Sequence, residues 1–135
     1  MTKSKKDAFI QLIFFSVVCA LWLVGCARDV KQFPTNYEKI GSNFGRSVIR
    51  IDHDQALGLS YERILKGGSE WVLIGKIPQG NVFKPLHGIF TVEGAHVHEA
   101  NLVLDGKSLV GFYLLVERAF VPLATPKTLI FTEGR

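Results

Sequence analysis

A β-hairpin is predicted by the sequence Ala100-Asn-Leu-Val-Leu-Asp-Gly-Lys-Ser-Leu-Val-Gly-Phe-Tyr-Leu114. Two runs rich in Leu and Val flank Asp105-Gly106, and an Asp-Gly pair supplies the positive φ angles that tight hairpin turns require. Phe112 and Tyr113 are adjacent in the second run, so a strand directs their side chains to opposite faces of its sheet. We therefore expect a sheet that is covered on both faces or that offers an apolar patch to a partner.

The segments on either side of this hairpin also carry mostly β signals. Ser47 to Ile51 and Glu70 to Ile77 are apolar runs typical of strands, and Pro78-Gln-Gly-Asn81 contains turn formers. Thr128 to Thr132 fits a last strand at a sheet edge. Val121 to Lys127 contains two prolines and is predicted to form a loop.

One helix is predicted, from about residue 55 to 66. Apolar side chains recur there at helical spacing, Asp54 precedes the segment as an N-cap, and Gly67 follows its end. Asp52 lies near the same end, where the helix dipole favours a carboxylate. Leu57-Gly-Leu-Ser-Tyr61 also alternates between apolar and small residues, so a strand is the alternative.

The predicted fold class is α+β, with one helix (about 55–66) packed on a mostly antiparallel sheet of four to six strands. Residues 47–135 form this single small domain, which is long enough for a modest hydrophobic core. The side chains expected in that core are Val48, Ile51, Leu57, Ile64, Trp71, Leu73, Leu102, Leu104, Phe112 and Leu114.

The first 27 residues have the composition of a secretion signal. Three lysines precede an apolar run, and no charged residue occurs from Ala8 to Ala27. The run ends in Leu23-Val24-Gly25-Cys26, which resembles the lipobox of bacterial lipoproteins. The resemblance implies that residues 1–25 are a signal peptide and that the thiol of Cys26 is acylated with diacylglycerol. An uncleaved transmembrane anchor is the alternative, because the run approaches the roughly 20 residues needed to span a bilayer.

The same resemblance implies a location. In similar lipoproteins of Gram-negative cells, a residue other than Asp directly after the cysteine favours export to the outer membrane, and here that residue is Ala27. We therefore expect a protein that is anchored in the outer membrane and faces the periplasm. Residues 26–46 are polar and contain glycines and a proline, so they are predicted to be a lipidated tether that holds the domain near the lipid surface.

Composition and charge exclude several function classes. The 135 residues include 16 Lys and Arg against 12 Asp and Glu, but removal of residues 1–25 leaves 13 basic and 11 acidic residues without a basic cluster. Nucleic acid is therefore not an expected partner. Of the two cysteines, Cys19 lies in the signal and Cys26 is expected to carry lipid, so no thiol is left for a disulfide or a nucleophile. No catalytic serine elbow or phosphate-binding loop occurs, and we expect a protein that is not an enzyme.

A candidate metal site lies in His96-Val97-His98. Residues two apart on a strand project to the same face, so His96 and His98 could both reach one metal ion, with His87 or Glu93 as a third ligand. Zinc and copper are the ions that suit these ligands. The structural alternative places both histidines on the solvent face of a strand, with Val97 facing inward.

Aromatic side chains near the hairpin provide a candidate partner surface, formed by Phe112, Tyr113 and Phe120. The predicted function is that of an outer-membrane lipoprotein facing the periplasm, which acts as a non-catalytic binding or accessory component of the cell envelope. The lipid confines the domain to the membrane surface, and this raises its effective concentration for an envelope protein partner. The alternative is a lipoprotein that binds a metal or another small ligand through His96 and His98.

Overall fold

The computed structural model describes residues 4–21, 29–41, 46–59 and 61–134. The predicted lipidation motif, Leu23 to Cys26, lies outside these residues. No helix in the described part of the chain has both the length and the apolar composition that crossing a bilayer requires. The elements are α1 (Lys5–Leu21), β1 (Phe33–Pro34), β2 (Glu38–Lys39), β3 (Val48–Ile51), β4 (Gln55–Ala56), β5 (Ile64–Leu65), β6 (Glu70–Ile77), β7 (Gly80–Pro85), β8 (Thr91–Glu93), β9 (Val97–Glu99), β10 (Asn101–Asp105), β11 (Ser108–Leu114), β12 (Ala119–Thr128) and β13 (Phe131–Gly134).

Nine of these strands form one antiparallel sheet in the order β1-β12-β11-β10-β7-β6-β3-β13, with β2 paired to β6. Strand β13 lies at one end of this order and β12 lies next to β1 at the other end, yet only Leu129 and Ile130 separate β12 from β13 in the chain. Residues 119–128 pair with β11, and residues 131–134 pair with β3. The sheet therefore curls until its two ends share one continuous stretch of chain.

The change of partner strand depends on the buried side chain of Gln55. The Ile130 N–H donates to Oε1 of Gln55 at 2.9 Å, and Nε2 of Gln55 donates to the Ile130 carbonyl at 2.7 Å. Just before it, the Leu129 N–H still donates to the carbonyl of Lys107, next to β11. One amide side chain thus pairs both backbone groups of the residue at which the strand leaves one neighbour for the other.

The concave side of the sheet holds the main core. Two small hairpins, β4–β5 and β8–β9, contribute Leu57, Leu65 and Val92 to the same cluster. Of the ten side chains predicted for the core, seven are buried, while Val48, Ile64 and Leu73 are half-buried. The buried members of the predicted set are Ile51, Leu57, Trp71, Leu102, Leu104, Phe112 and Leu114.

A second apolar cluster covers the outer face of the sheet. Phe112 belongs to the main core, whereas Tyr113 belongs to the outer cluster, as their alternation on β11 requires. The ring of Tyr37 stacks on that of Tyr113 with centroids 5.1 Å apart, and its hydroxyl donates to the Ile74 carbonyl at 2.8 Å. Of the two sequence-based alternatives, the sheet covered on both faces is confirmed.

The covering layer comes from the segment that the sequence predicts as a tether. Within residues 26–46, β1 pairs Phe33 with Phe120, and β2 pairs Glu38 with Lys76. Gly75 provides the space for the ring of Tyr37, because a Cβ at this position would overlap the ring. Residues 29–41 therefore pack on the folded sheet.

The predicted helix at 55–66 is wrong, and with it the predicted fold class. This stretch contains β4 and β5, which pair with each other, and the only helix in the described residues is α1. Gly58 has a φ of +65°, which lies outside the helical region, so the alternating pattern prevails over the helical one. The protein has a large antiparallel sheet of nine strands instead of a helix on four to six strands.

The carboxylates assigned to a helix N-terminus have other roles. Asp54 accepts the Gly67 N–H at 2.8 Å and the ammonium of Lys66 at 3.2 Å, which ties together the two ends of the β4–β5 hairpin. These bonds, the one from Gly67 first, hold the pKa of Asp54 below its usual value. Asp52 accepts the hydroxyl of Thr132 at 2.6 Å, next to the β3–β13 pairing.

The hairpin at 100–114 is confirmed, with Gly106 at a φ of +59° in its two-residue turn. The loop predicted at Val121 to Lys127 is wrong, because these residues belong to β12. Among the described strands, β1 pairs with only the first two residues of β12, so the rest of β12 has one free side, and an edge strand of this kind tolerates proline.

Replacement of Gln55 by Leu tests the closing contact. We expect Gln55→Leu to lower the free energy of unfolding by about 1–3 kcal/mol, because it leaves the Ile130 N–H unpaired, while the Ile130 carbonyl still accepts the Asp52 N–H at 3.3 Å. Gln79→Leu is the matched control, because Gln79 only accepts a hydroxyl of Thr35 at 3.3 Å and should change stability by less than about 1 kcal/mol. Urea unfolding followed by tryptophan fluorescence measures both, and equal losses would contradict the role of Gln55.

Candidate functional site

A cavity of about 410 Å³ lies where five parts of the chain meet. Its volume falls in the range of roughly 300–1,000 Å³ that small-molecule sites occupy. Eight of its eleven lining residues are apolar, and the others are one Lys, one Glu and one Tyr. The lining residues are Val30, Lys31, Leu59, Tyr61, Val92, Glu93, Phe112, Val121, Pro122, Leu123 and Ala124.

The floor of the cavity is part of the main core. Val92, Phe112 and Leu123 are buried members of that cluster. The ring of Phe90 stacks on that of Phe112 with centroids 5.8 Å apart. Trp71 packs edge-on against the same Phe90 ring, with centroids 5.4 Å apart. Packed aromatic rings of this kind resist displacement, so the floor is a preformed apolar surface.

One wall is the connection between β4 and β5, which is fixed to β8 at two points. The hydroxyl of Tyr61 accepts the Glu93 N–H at 2.8 Å. The guanidinium of Arg63 lies 4.6 Å from the ring centroid of Phe90 and donates to the hydroxyl of Thr91 at 3.2 Å. The stretch that the sequence predicts as a helix therefore supplies a wall of the cavity.

The charged side chains at the cavity are Lys31 and Glu93, and both residues are exposed. Within the ranges that the structure describes, neither of them forms an ion pair. An apolar cavity with one ammonium and one carboxylate suits a ligand that has an apolar body and a charged end.

A buried histidine lies close to the N-terminal wall of the cavity. Nδ1 of His98 lies 2.5 Å from Oε1 of Glu117, and its Nε2 lies 3.4 Å from Oδ1 of Asp29. The first distance is that of a short hydrogen bond, whereas the second is long, so Glu117 is the closer partner. We call these three residues the His98 clasp.

The clasp favours the protonated imidazole. Its hydrogen bond to Glu117 raises the pKa of His98 above 6.5, burial opposes this change, and the contact with Asp29 adds to it. Conversely, the pKa of Asp29 lies below its usual value, mainly because its carboxylate accepts the Val30 N–H at 2.9 Å and also because of His98. An imidazolium between two carboxylates is suited to holding two segments together.

The clasp fixes the segment that lines the cavity. Asp29 directly precedes Val30 and Lys31, and this segment packs closely on Gly94, between β8 and β9. A Cβ on Gly94 would lie 2.7 Å from Oδ1 of Asp29 and 2.9 Å from the Val30 nitrogen. Only a residue without a side chain therefore allows the N-terminal segment to approach the β8–β9 hairpin so closely.

The histidines predicted as metal ligands have different surroundings. His98 is buried, whereas His96 and His87 are exposed, and the rings of His96 and His98 have centroids 6.4 Å apart. Val97 is exposed. The sequence-based alternative, in which Val97 faces inward and both histidines face solvent, is therefore wrong. Among the described residues, no group of three or more His, Cys, Asp or Glu side chains is arranged to hold a metal ion. Zinc or copper binding stays a prediction of the sequence.

The three side chains predicted as a partner surface are all buried. Phe112 is 1% exposed and forms part of the cavity floor. Tyr113 is 1% exposed and Phe120 is 7% exposed, because both lie in the outer cluster that Tyr37 joins. The chain's own N-terminal segment therefore covers the face that the sequence assigns to a partner.

Several residues of the cavity and clasp carry no signal that sequence reasoning could detect. Asp29 and Lys31 lie in the predicted tether, Tyr61 lies in the predicted helix, and Glu117 lies in the turn between β11 and β12. Their association depends on contacts between distant parts of the chain. Comparisons with protein-family models, with curated proteins and with solved structures gave no match to this chain.

The clasp predicts that stability decreases as the pH rises. The folded-state pKa of His98 is raised, so the stabilisation is complete below its unfolded value of 6.5 and is lost as the pH rises through the folded pKa. We expect the free energy of unfolding to be larger at about pH 5.5 than at about pH 8.5. His98→Gln should remove most of this difference, whereas the exposed His96→Gln should retain it. An unchanged pH dependence in His98→Gln would contradict the clasp.

Proposed function

We propose that this chain is a bacterial lipoprotein, anchored in the outer membrane through Cys26, whose periplasmic β domain acts as a non-catalytic binding component of the envelope. The observation that carries the binding role is the cavity with its preformed apolar floor and two charged side chains. The lipobox resemblance at Leu23 to Cys26 carries the anchor.

The helix α1 supports the proposed signal peptide. Seven apolar side chains between residues 9 and 17 are at least half exposed in the chain, among them Leu12, Phe14 and Phe15. Apolar surface of this extent is unfavourable in water, at roughly 25 cal/mol for each Å². A signal peptide that enters the membrane during export and is then removed accounts for such a helix.

The arrangement of the polar groups supports binding over catalysis. The Tyr61 hydroxyl already accepts the Glu93 N–H, which makes it part of the wall. His98 has both ring nitrogens directed at carboxylates, and these favour the state in which it holds both protons. A histidine in this setting is a poor base for taking a proton from a substrate.

The described structure supports a small molecule, more than a protein, as the ligand of the domain. The aromatic side chains predicted as a protein-binding surface are covered, whereas the cavity is open to a ligand. Its size and lining are those of a site for a small amphiphilic molecule. The anchor contributes by keeping this site at the membrane, which raises its effective concentration for ligands and partners there.

The anchor is tested by intact mass and by fractionation of cells that express the full chain. We expect a mature protein that begins at Cys26 and carries acyl groups, and that is recovered in the outer-membrane fraction. Cys26→Ala removes the acylated residue of the lipobox, so this variant should carry no acyl groups and should be absent from the outer-membrane fraction. Cys19→Ala is the matched control, because its thiol lies in the removed segment and its loss should change neither mass nor location of the mature protein. A chain with residues 1–25 attached and a free thiol at Cys26 would contradict the proposal.

A further inference from the structure

The cavity lies close to the proposed lipid anchor along the chain. Three residues lie between Cys26 and Val30, so four steps of at most about 3.6 Å each connect their Cα atoms. The wall of the cavity at Val30 therefore lies within about 14 Å of the Cα of Cys26, the residue that carries the proposed lipid. The polar layer on each side of a bilayer is roughly 5–8 Å thick, so the cavity is held at the lipid surface.

Exposed apolar side chains directly precede two members of the clasp in the chain, near the point where the anchored segment enters the domain. Val97 directly precedes His98 and is 66% exposed, and Val116 directly precedes Glu117 and is 81% exposed. Leu115, in the same turn, is 46% exposed. The bond between His98 and Glu117 brings these two segments together, and the contact with Asp29 places both near the start of the anchored segment. This combination favours contact of this side of the domain with lipid.

The charges at the cavity restrict the head group of a ligand. The ammonium of Lys31 attracts a carboxylate or a phosphate, while the carboxylate of Glu93 opposes further negative charge. The long apolar part of the Lys31 side chain can lie along the rim while its charge stays in water. A head group with one negative charge, or with one negative and one positive charge, fits both residues.

We infer that the cavity binds one acyl chain of an amphiphile from the membrane surface, with an anionic carboxylate or phosphate of its head group beside Lys31. The acyl chain lies against Val92, Phe112 and Leu123, and burial of each methylene strengthens binding about fourfold. The inference rests on the proposed function, because the anchor at Cys26 holds the cavity next to lipid.

Photo-crosslinking of the full chain in phosphatidylcholine vesicles tests this inference. One probe is palmitate with a diazirine in its chain, and the other is lysophosphatidylethanolamine with the same labelled chain. After illumination, mass spectrometry of peptides locates the label. We expect it in the peptides that contain Val92, Phe112 and Leu123. Labelling by palmitate alone identifies a free fatty acid as the ligand, and labelling by both probes shows that a phosphate head group is also accepted.

Two pairs of variants distinguish the cavity from the general surface. Ala124 is exposed and lines the cavity, so Ala124→Trp should occupy the space of at least two methylenes and reduce labelling about tenfold or more. Thr125→Trp places the same ring at the next exposed position, which does not line the cavity, and should leave labelling unchanged. Lys31→Gln should reduce labelling about two- to fivefold, as expected for an exposed ion pair, whereas Lys39→Gln should not.

The intact mass of the same preparation reports acylation of Cys26 and separates the two proposals. An acylated protein whose label lies outside the cavity, or does not decrease in Ala124→Trp and Lys31→Gln, overturns the acyl-chain site and leaves the anchor standing. A chain without lipid overturns the anchor, while cavity labelling by palmitate that Ala124→Trp abolishes would still support the acyl-chain site.

Discussion

The structure depends on one stretch of chain, Ala119 to Gly134, that pairs with both ends of the same sheet. A curled sheet with free ends would expose two rows of unpaired backbone groups, whereas a shared last strand pairs both ends. The constraint is strongest at Ile130, where the backbone changes partner and its carbonyl keeps a long bond, 3.3 Å, from the Asp52 N–H. Gln55 pairs the Ile130 N–H and adds a shorter bond to the carbonyl, so its conformation is tied to closure of the sheet.

Curling also creates the need for a second layer. The sheet has register shifts near Gly75, Leu104 and Gly111, and such irregularities increase the local bend and twist. Glycines at two of these places leave gaps on the convex face, and aromatic rings cover them: Tyr37 lies over Gly75, and Phe120 lies against Gly111. The N-terminal segment therefore fits the sheet by steric complementarity. The same segment places Asp29 and Lys31 at the cavity.

The sequence predicts the parts of the fold that depend on local interactions. The hairpin at 100–114 and the turn at 78–81 are confirmed, because such turns depend on a few adjacent residues: proline fixes its own φ, and glycine adopts the positive φ that other residues rarely reach. The stretch 55–66 carries two periods at once, and Gly58 adopts a conformation that only the tertiary structure reveals. From the sequence alone, the two prolines of β12 predict a loop. They are also compatible with a strand that has one free side, and only the tertiary structure shows that side.

The candidate site is less predictable than the fold, for the same physical reason. His98 stands out in the sequence, and the structure buries it between two carboxylates, but these partners are 69 and 19 residues away. Both are carboxylates that nothing local distinguishes from other acidic residues on the surface. The cavity likewise combines residues from the N-terminal segment, the two small hairpins, β11 and β12.

These contacts connect the protonation of His98 to the cavity. The protonated imidazole holds Asp29, and the two residues that follow Asp29 line the cavity wall. Linkage between two equilibria is reciprocal. If a ligand contacts Val30 and Lys31 only while the clasp holds them in place, its binding favours the protonated form of His98 by as much free energy as protonation of His98 adds to binding of the ligand. A ligand that instead displaces this segment favours the neutral imidazole. The direction in which a bound ligand shifts the pKa of His98 therefore reports whether the wall at residues 29–31 is held or released.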